Sequence, residues 1–254
     1  MTFQELWTRV EALSQISDTQ TIGQSVEGRP IHAFHVGDYG PNQVIITGAI
    51  HAREWITALL LVELVKICAD LEINGGVYFV PVVNPDGVKI AMESEPLYKA
   101  NARMVDLNVN FDAEWGTGAQ NIRTPGPANY IGPYPESEPE TRALVDFANK
   151  IRPKAALAYH SKGEVVYYGF VPRKRDARIA RMIGRITGYK PVRTKNSAGG
   201  YADWVSLHLG VPALTIEVGH DSIPHPIGPE HLPKILAQNI DVPKAITQML
   251  TTTP

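Results

Sequence analysis

His51 and Glu54 stand three residues apart, so on a helical first turn they share a face and offer one cation an imidazole nitrogen and a carboxylate. His160, after a later apolar run, supplies a third ligand. Two His and one Glu with an open fourth position form the ligand set of a hydrolytic zinc site, where the metal acidifies water and polarises a carbonyl. Glu217 then reads as the general base that takes the water's proton and returns it to a leaving amine. Each residue alone is a weak signal, since the chain has 8 His and an accidental H-x-x-E is unsurprising. Their joint placement carries the argument, and that placement depends on the elements around them.

Short, nearly all-apolar runs at residues 44–47, 77–83, 155–159 and 213–218 read as strands covered on both faces. A long helix over 55–71 joins the first two, with a turn at Asn74-Gly75-Gly76. Strands with helical crossovers predict an α/β fold in one domain, 1–254: a mixed, mostly parallel, twisted sheet with helices on both faces. Apolar residues at three- and four-residue steps from Phe3 to Leu13 mark an amphipathic helix, and extended segments follow at 21–26 and 31–36. Further helices are expected at 140–151, 176–187, 201–209 and 231–250, and the proline-rich stretch 112–138 reads as a long loop at a functional rim. In such sheets ligands bind beyond the carboxyl ends of the strands. There lie His51-Ala52-Arg53-Glu54, Asn84-Pro85-Asp86-Gly87, His160-Ser161 and Glu217.

The chain has 254 residues, 44% hydrophobic and 20% charged, enough to bury a sizeable core and unlike a disordered protein. A net charge of −2 without a long basic block argues against nucleic-acid binding. Cys68, the single cysteine, excludes an internal disulfide and sits in an apolar stretch as a buried thiol. No apolar run reaches the ~20 residues of a membrane span. Residues 1–16 lack a secretory pattern, so the expected location is the cytoplasm unless a leader precedes them. Oligomeric state has no signal in the sequence. His32, His35 and His208 have no carboxylate at ligand spacing and read as structural, while His220, His225 and His231 flank a proline-rich turn after Glu217.

At this level of detail the sequence resembles the zinc metallocarboxypeptidases of the carboxypeptidase A superfamily, the M14 peptidases. His51-Ala52-Arg53-Glu54 is similar to the family's H-x-R-E motif. In order follow Asn84-Pro85-Asp86-Gly87, Asp106-Leu107-Asn108-Val109-Asn110-Phe111, His160-Ser161, Gly199-Gly200-Tyr201-Ala202-Asp203-Trp204 and Ile216-Glu217. The resemblance implies a carboxypeptidase-like fold and one Zn2+ per chain at His51, Glu54 and His160, with Glu217 as base. It implies that Arg103 polarises the scissile carbonyl and stabilises the oxyanion, and that Asp106 orients a zinc-ligating imidazole. Arg53, Asn108, Tyr201 and Asp203 are then expected among the groups that bind a peptide substrate.

Two departures bear on the substrate. Where the family's D-x-N-R-N motif has an arginine that grips a terminal carboxylate as a bidentate fork, this chain has Val109. The tyrosine usual four residues before the Gly-Gly pair is replaced by Lys195. The stretch Tyr98-Lys99-Ala100-Asn101-Ala102-Arg103 resembles bacterial branches that cut peptidoglycan stem peptides between γ-D-glutamate and meso-diaminopimelate, with Lys162, Lys195 or Arg123 as a shifted grip. The expected function is therefore zinc-dependent hydrolysis of that amide bond. The alternatives are a conventional carboxypeptidase with a relocated carboxylate clamp and a catalytically silent peptide-binding relative.

Overall fold

Every residue of the three innermost segments, 43–47, 76–80 and 155–161, is buried, the pattern of strands sandwiched between helical layers. The computed structural model describes residues 1–251. In chain order they form α1 (Phe3–Glu11), β1 (Asp18–Gln24), β2 (Pro30–Gly37), β3 (Gln43–Thr47), α2 (Ile56–Ala69), β4 (Gly76–Val80), α3 (Pro85–Glu93) and α4 (Pro139–Ile151). They continue as β5 (Ala155–Ser161), β6 (Val165–Tyr168), α5 (Lys174–Thr187), β7 (Lys190–Arg193), α6 (Tyr201–Trp204), β8 (Ala213–Val218), α7 (Leu232–Asn239) and α8 (Val242–Thr251).

The strands make one eight-stranded sheet in the order β1-β2-β4-β3-β5-β8-β6-β7. The four central strands run parallel, β6 and β7 run parallel to each other, and β1–β2, β2–β4 and β6–β8 pair antiparallel. Alternation of side chains divides the core in two. Ile46, Phe79, Leu157 and Ile216 join residues of α1, α2, α5, α7 and α8 on one face; Ile45, Tyr78, Ala156 and Ala213 join α4 and α6 on the other. The expected mixed sheet with helices on both faces is the observed one.

Local chemistry sets the boundaries. Thr2 and Glu5 form a reciprocal capping box that starts α1. β4 ends at Val80, three residues short of the expected strand, because Pro81 has no N–H to continue the ladder. The helix expected over 201–209 is α-helical only through Trp204 and finishes as a wider π turn over Val205–Leu209, stopped by Gly210 at φ +70°. The helix expected over 231–250 is split into α7 and α8, since Pro243 in the first turn of α8 cannot donate to a preceding carbonyl. β6, β7 and α3 were not expected from the apolar pattern. The two strands are four residues each and half exposed, whereas α3 begins at Pro85 with Asn84 as its cap.

The long loop 112–138 is tied down by its own backbone bonds, by Trp115 Nε1 donating to Ile131 O (3.0 Å) and by Asn110. Asn110 donates through Nδ2 to Ile131 O (2.9 Å), Tyr134 O (3.2 Å) and Ser137 Oγ (3.0 Å), which draws the loop back over the carboxyl edge of the sheet.

Candidate metal centre and catalytic cleft

The chain leaves β3 toward β4 on one side and later returns to β5 on the other, so a crevice opens at the carboxyl ends of β3 and β5. His51 and Glu54 follow β3, and His160 lies within β5 at its carboxyl end. His51 precedes a single 3₁₀ turn, Ala52–Glu54, in place of the expected α-helical first turn; α2 itself begins at Ile56. The tighter turn still brings the two side chains together, with His51 Nδ1 3.0 Å from Glu54 Oε1. His160 Nδ1 lies 3.1 Å from His51 Nδ1 and 3.0 Å from Glu54 Oε2. All three residues are buried, and Ser161 N donates to Glu54 Oε2 at 3.1 Å.

The donor set fits a small divalent cation. Two imidazole nitrogens 3.1 Å apart share at most one proton between them, whereas a cation accepts both lone pairs at once. The spacings of 3.0–3.1 Å are close to the edge of a tetrahedron, about 3.3 Å for metal–ligand bonds of ~2.0–2.1 Å. Among the described residues, this is the one group of three His, Cys, Asp or Glu side chains whose donor atoms converge. Burial favours a neutral Glu54, but the two imidazoles outweigh it and hold the carboxyl well below its ordinary range. Burial likewise opposes a charge on His51, and the Glu54 and Asp106 carboxylates still leave its pKa raised.

Asp106 sits behind His51, its Oδ1 3.3 Å from Nε2 of the imidazole. It is fully buried and held by Lys99 Nζ (2.9 Å) and by the backbone N–H groups of Asn108 (3.1 Å) and Asn129 (3.1 Å). Desolvation would raise its pKa, but Lys99 and His51 keep it far below the usual carboxylate range. A carboxylate so fixed turns the imidazole and makes it a stronger ligand. Lys99 carries no local sequence signal of this pairing, since Arg103 stands closer to Asp106 along the chain.

Glu217, paired in register with His160, lines a cavity of ≈ 340 Å³ with Asn108, Tyr167, Lys195, Asp203 and Thr215. Burial pushes its carboxyl up to about 8. Asn108 accepts from Tyr201 N (3.1 Å) and also lines a second cavity with His51 and Val109. Asp203 is on the first cavity's wall, where it accepts from Ser197 Oγ (2.5 Å) and Gly200 N (3.3 Å), and burial pushes it up to about 6.

Other expected residues are placed differently. Tyr201 is fully buried in the core with its ring 5.6 Å from Phe111 and its hydroxyl unpartnered, so it does not reach the cleft. Arg103 is exposed, with Nη1 3.8 Å from Glu138 Oε2, and lines neither cavity. Arg53 carries a buried Nε with no protein acceptor. Of the three cations considered as grips, Lys162 is tied to the carbonyls of Asp221 and Ile223, and Arg123 lies over Trp115. Lys195 alone faces the cavity that contains Glu217. Asn84-Pro85-Asp86-Gly87 is structural: Asn84 bridges Ile50 O and Ala100 O, while buried Asp86 binds Arg29 and Ser25.

A sequence profile described as zinc carboxypeptidase (Peptidase_M14) matches residues 4–239. Gamma-D-glutamyl-L-diamino acid endopeptidase 1 of Lysinibacillus sphaericus is 30% identical over 244 residues, covering 81% of this chain and 61% of that protein. Carboxypeptidase A2 of Mus musculus is 29% identical over 246 residues, covering 82% and 58%. The chain thus spans about three fifths of the length of these curated relatives. Among solved structures, bovine thrombin-activatable fibrinolysis inhibitor superposes with a TM-score of 0.87 at 21% identity, covering 99% of this chain and 97% of that one. Murein-tripeptide amidase MpaA from Escherichia coli O157 superposes with a TM-score of 0.66 at 21% identity, covering 93% and 92%. These two likenesses are of fold.

Proposed function

Since the chain belongs to the zinc carboxypeptidase family, we propose that it is a zinc-dependent amidase acting on the γ-D-glutamyl-meso-diaminopimelate bond of murein-derived peptides. The observation that carries this reading is Val109, which lines the cleft where a C-terminal grip would need a cation. Lys195, on the wall shared with Glu217, supplies a positive charge displaced from that point. A diaminopimelate residue suits such a displaced charge, because its side chain bears a second carboxylate. The relative from Lysinibacillus sphaericus, named for a γ-D-glutamyl-diamino acid bond, supports the same substrate class.

His51, Glu54 and His160 would hold the zinc, which when bound acidifies water and polarises the carbonyl. Glu217 takes a proton from the attacking water and delivers it to the departing amine nitrogen as the C–N bond breaks. Burial raises its pKa, which makes the carboxylate a stronger proton acceptor. Asp106 and Lys99 keep His51 in one orientation. The oxyanion role expected of Arg103 draws no support from its placement, exposed beside Glu138 and away from both cavities, whereas Lys99 lines the cavity that contains His51.

The test is a panel of peptides followed by mass spectrometry. L-Ala-γ-D-Glu-meso-diaminopimelate should be cleaved at the γ-amide far faster than any L,L-dipeptide. Efficient removal of C-terminal L-residues with the murein peptide left intact would return the chain to conventional carboxypeptidase action with Lys195 as clamp. In the same assay Arg103→Ala should leave kcat and KM within about twofold; a fall in kcat larger than any rise in KM would restore the oxyanion role to Arg103.

A further inference from the structure

β7 closes one end of the sheet, and α5 packs beside it. Lys174, Arg178, Arg181 and Arg185 are exposed on α5. Helix geometry sets them within an arc of about 60° and about 4.5–6 Å apart along the axis. The opposite side of α5 buries Ile179, Ala180 and Ile183. At Gly184 a Cβ would stand 2.8 Å from both Tyr189 O and Pro191 Cγ, so the last turn of α5 lies directly against β7. Exposed Lys190 and Arg193 carry the positive charge onto that edge strand.

This charge is not spent inside the protein. Among the described residues none of these six cations pairs with a carboxylate. The segment 164–195 holds two acids: Asp176 is fully buried, and Glu164 is held by Lys234 (3.2 Å) and Gln238 (3.2 Å). Like charges three and four residues apart repel one another on a helix, and an external anion removes that cost. Lys190, Pro191 and Arg193 also keep a further strand off the open sheet edge, whereas a helix has no ladder to guard.

The side chains on this face select the kind of anion. Three of the four cations on α5 are arginines, whose planar forks match phosphate oxygens in pairs. Between Tyr167 and Leu207 no large apolar side chain is exposed. The face therefore lacks the apolar anchors of a protein interface or of a helix lying in a membrane surface, and it lacks the aromatic rings on which bases stack. We propose that α5 and β7 form a docking face for a linear polymer of phosphate or phosphodiester groups without bases, which leaves the catalytic cleft open. Binding there needs neither zinc nor turnover, so it stands or falls apart from the murein reading.

The probe is end-labelled inorganic polyphosphate, followed by fluorescence polarisation at about 0.15 M salt. Wild-type protein should bind saturably, and the triple variant Arg178→Gln, Arg181→Gln, Arg185→Gln should bind at least tenfold more weakly, with a shallower dependence of log affinity on log salt. A charge-matched triple on a remote surface, Lys150→Gln, Arg152→Gln, Lys154→Gln, should lose less than twofold. No binding by wild type, or equal losses in the two triples, overturns the proposal. Tighter binding of a charge-matched oligothymidylate, or binding of phosphatidylglycerol vesicles but not of polyphosphate, overturns the choice of partner. The α5 triple should melt at or slightly above the wild-type temperature and cleave soluble substrate within twofold of wild type. Should it fail to fold, Arg181→Gln alone decides: a threefold loss of affinity supports the face, and an unchanged affinity overturns it.

Discussion

His51 is aimed by a carboxylate that is itself aimed, and each partner makes a separate prediction. Lys99→Met removes the charge that faces Asp106 but leaves the two backbone donors, Asn108 N and Asn129 N. Loss of a partner behind a ligand typically weakens metal binding ~10–100-fold. Zinc affinity measured against a competing chelator should fall by that order with the fold intact, and an unchanged affinity would assign the orientation of Asp106 to its backbone donors alone. Glu217→Gln keeps shape and removes proton acceptance, so zinc should be retained while kcat falls ~10²–10⁴-fold. A loss under tenfold would point to another base. The wild-type pH profile carries the same signature: the base acts unprotonated, so activity rises with pH as Glu217 ionises. Burial raises that carboxyl from 4.5 to about 8 and a bound cation draws it down, which puts the ascending limb below pH 8.

At the scale of elements, α4 carries an acid into the interior. Glu140 is fully buried in the first turn, where it accepts from Val26 N (3.1 Å) and Asn101 Nδ2 (3.2 Å) beside Glu138. Burial, with the neighbouring Glu138 charge, pushes its carboxyl from 4.5 up to about 7. A folded-state pKa above the unfolded one gives stability that is fully present below pH 4.5 and is lost as pH rises toward 7. The shift corresponds to about 3 kcal/mol as an upper figure. Glu140→Gln should therefore flatten the decline in chemically measured unfolding free energy between those pH values relative to wild type; parallel curves for the two proteins would show that Glu140 ionises normally. This buried acid gives no sequence signal, because Pro139-Glu140 reads as an ordinary helix start. The metal ligands were legible for the opposite reason. Three-residue spacing and strand-end placement survive the change from an α-turn to a 3₁₀ turn at Ala52–Glu54, since both put His51 and Glu54 on one side. The four-residue strands β6 and β7 escaped because they are too short for alternation to register and their burial is partial. Tyr201 differs from its expected place in the cleft because its motif fixes the path of the chain, while its side chain packs in the second core.

At the scale of the whole molecule, charge is segregated. Between positions 173 and 195 nine side chains are basic and one is acidic, against a net charge of −2 for the chain. On α5 the exposed Lys174, Arg178, Arg181 and Arg185 fall on one stripe, and Asp176 is buried. Among the described residues none of these four cations pairs with a carboxylate. Like charges at such spacing destabilise a helix by ~0.2–0.5 kcal/mol per pair. Arg181→Glu should raise the melting temperature slightly and shorten retention on a cation exchanger at low salt; an unchanged or lower melting temperature would mean that the stripe is not under strain. The fold's larger asymmetry is functional: all three ligand side chains gather at the carboxyl ends of β3 and β5, with one cavity reaching His51 and the other running along β6 and β8 to Glu217. The proposed activity requires one catalytic zinc at those strand ends. Its most direct test is to titrate zinc into metal-free protein while following release of meso-diaminopimelate from L-Ala-γ-D-Glu-meso-diaminopimelate. Activity should rise from zero in proportion to added metal and level off at one zinc per chain; turnover by the metal-free protein, or none at full occupancy, would contradict it.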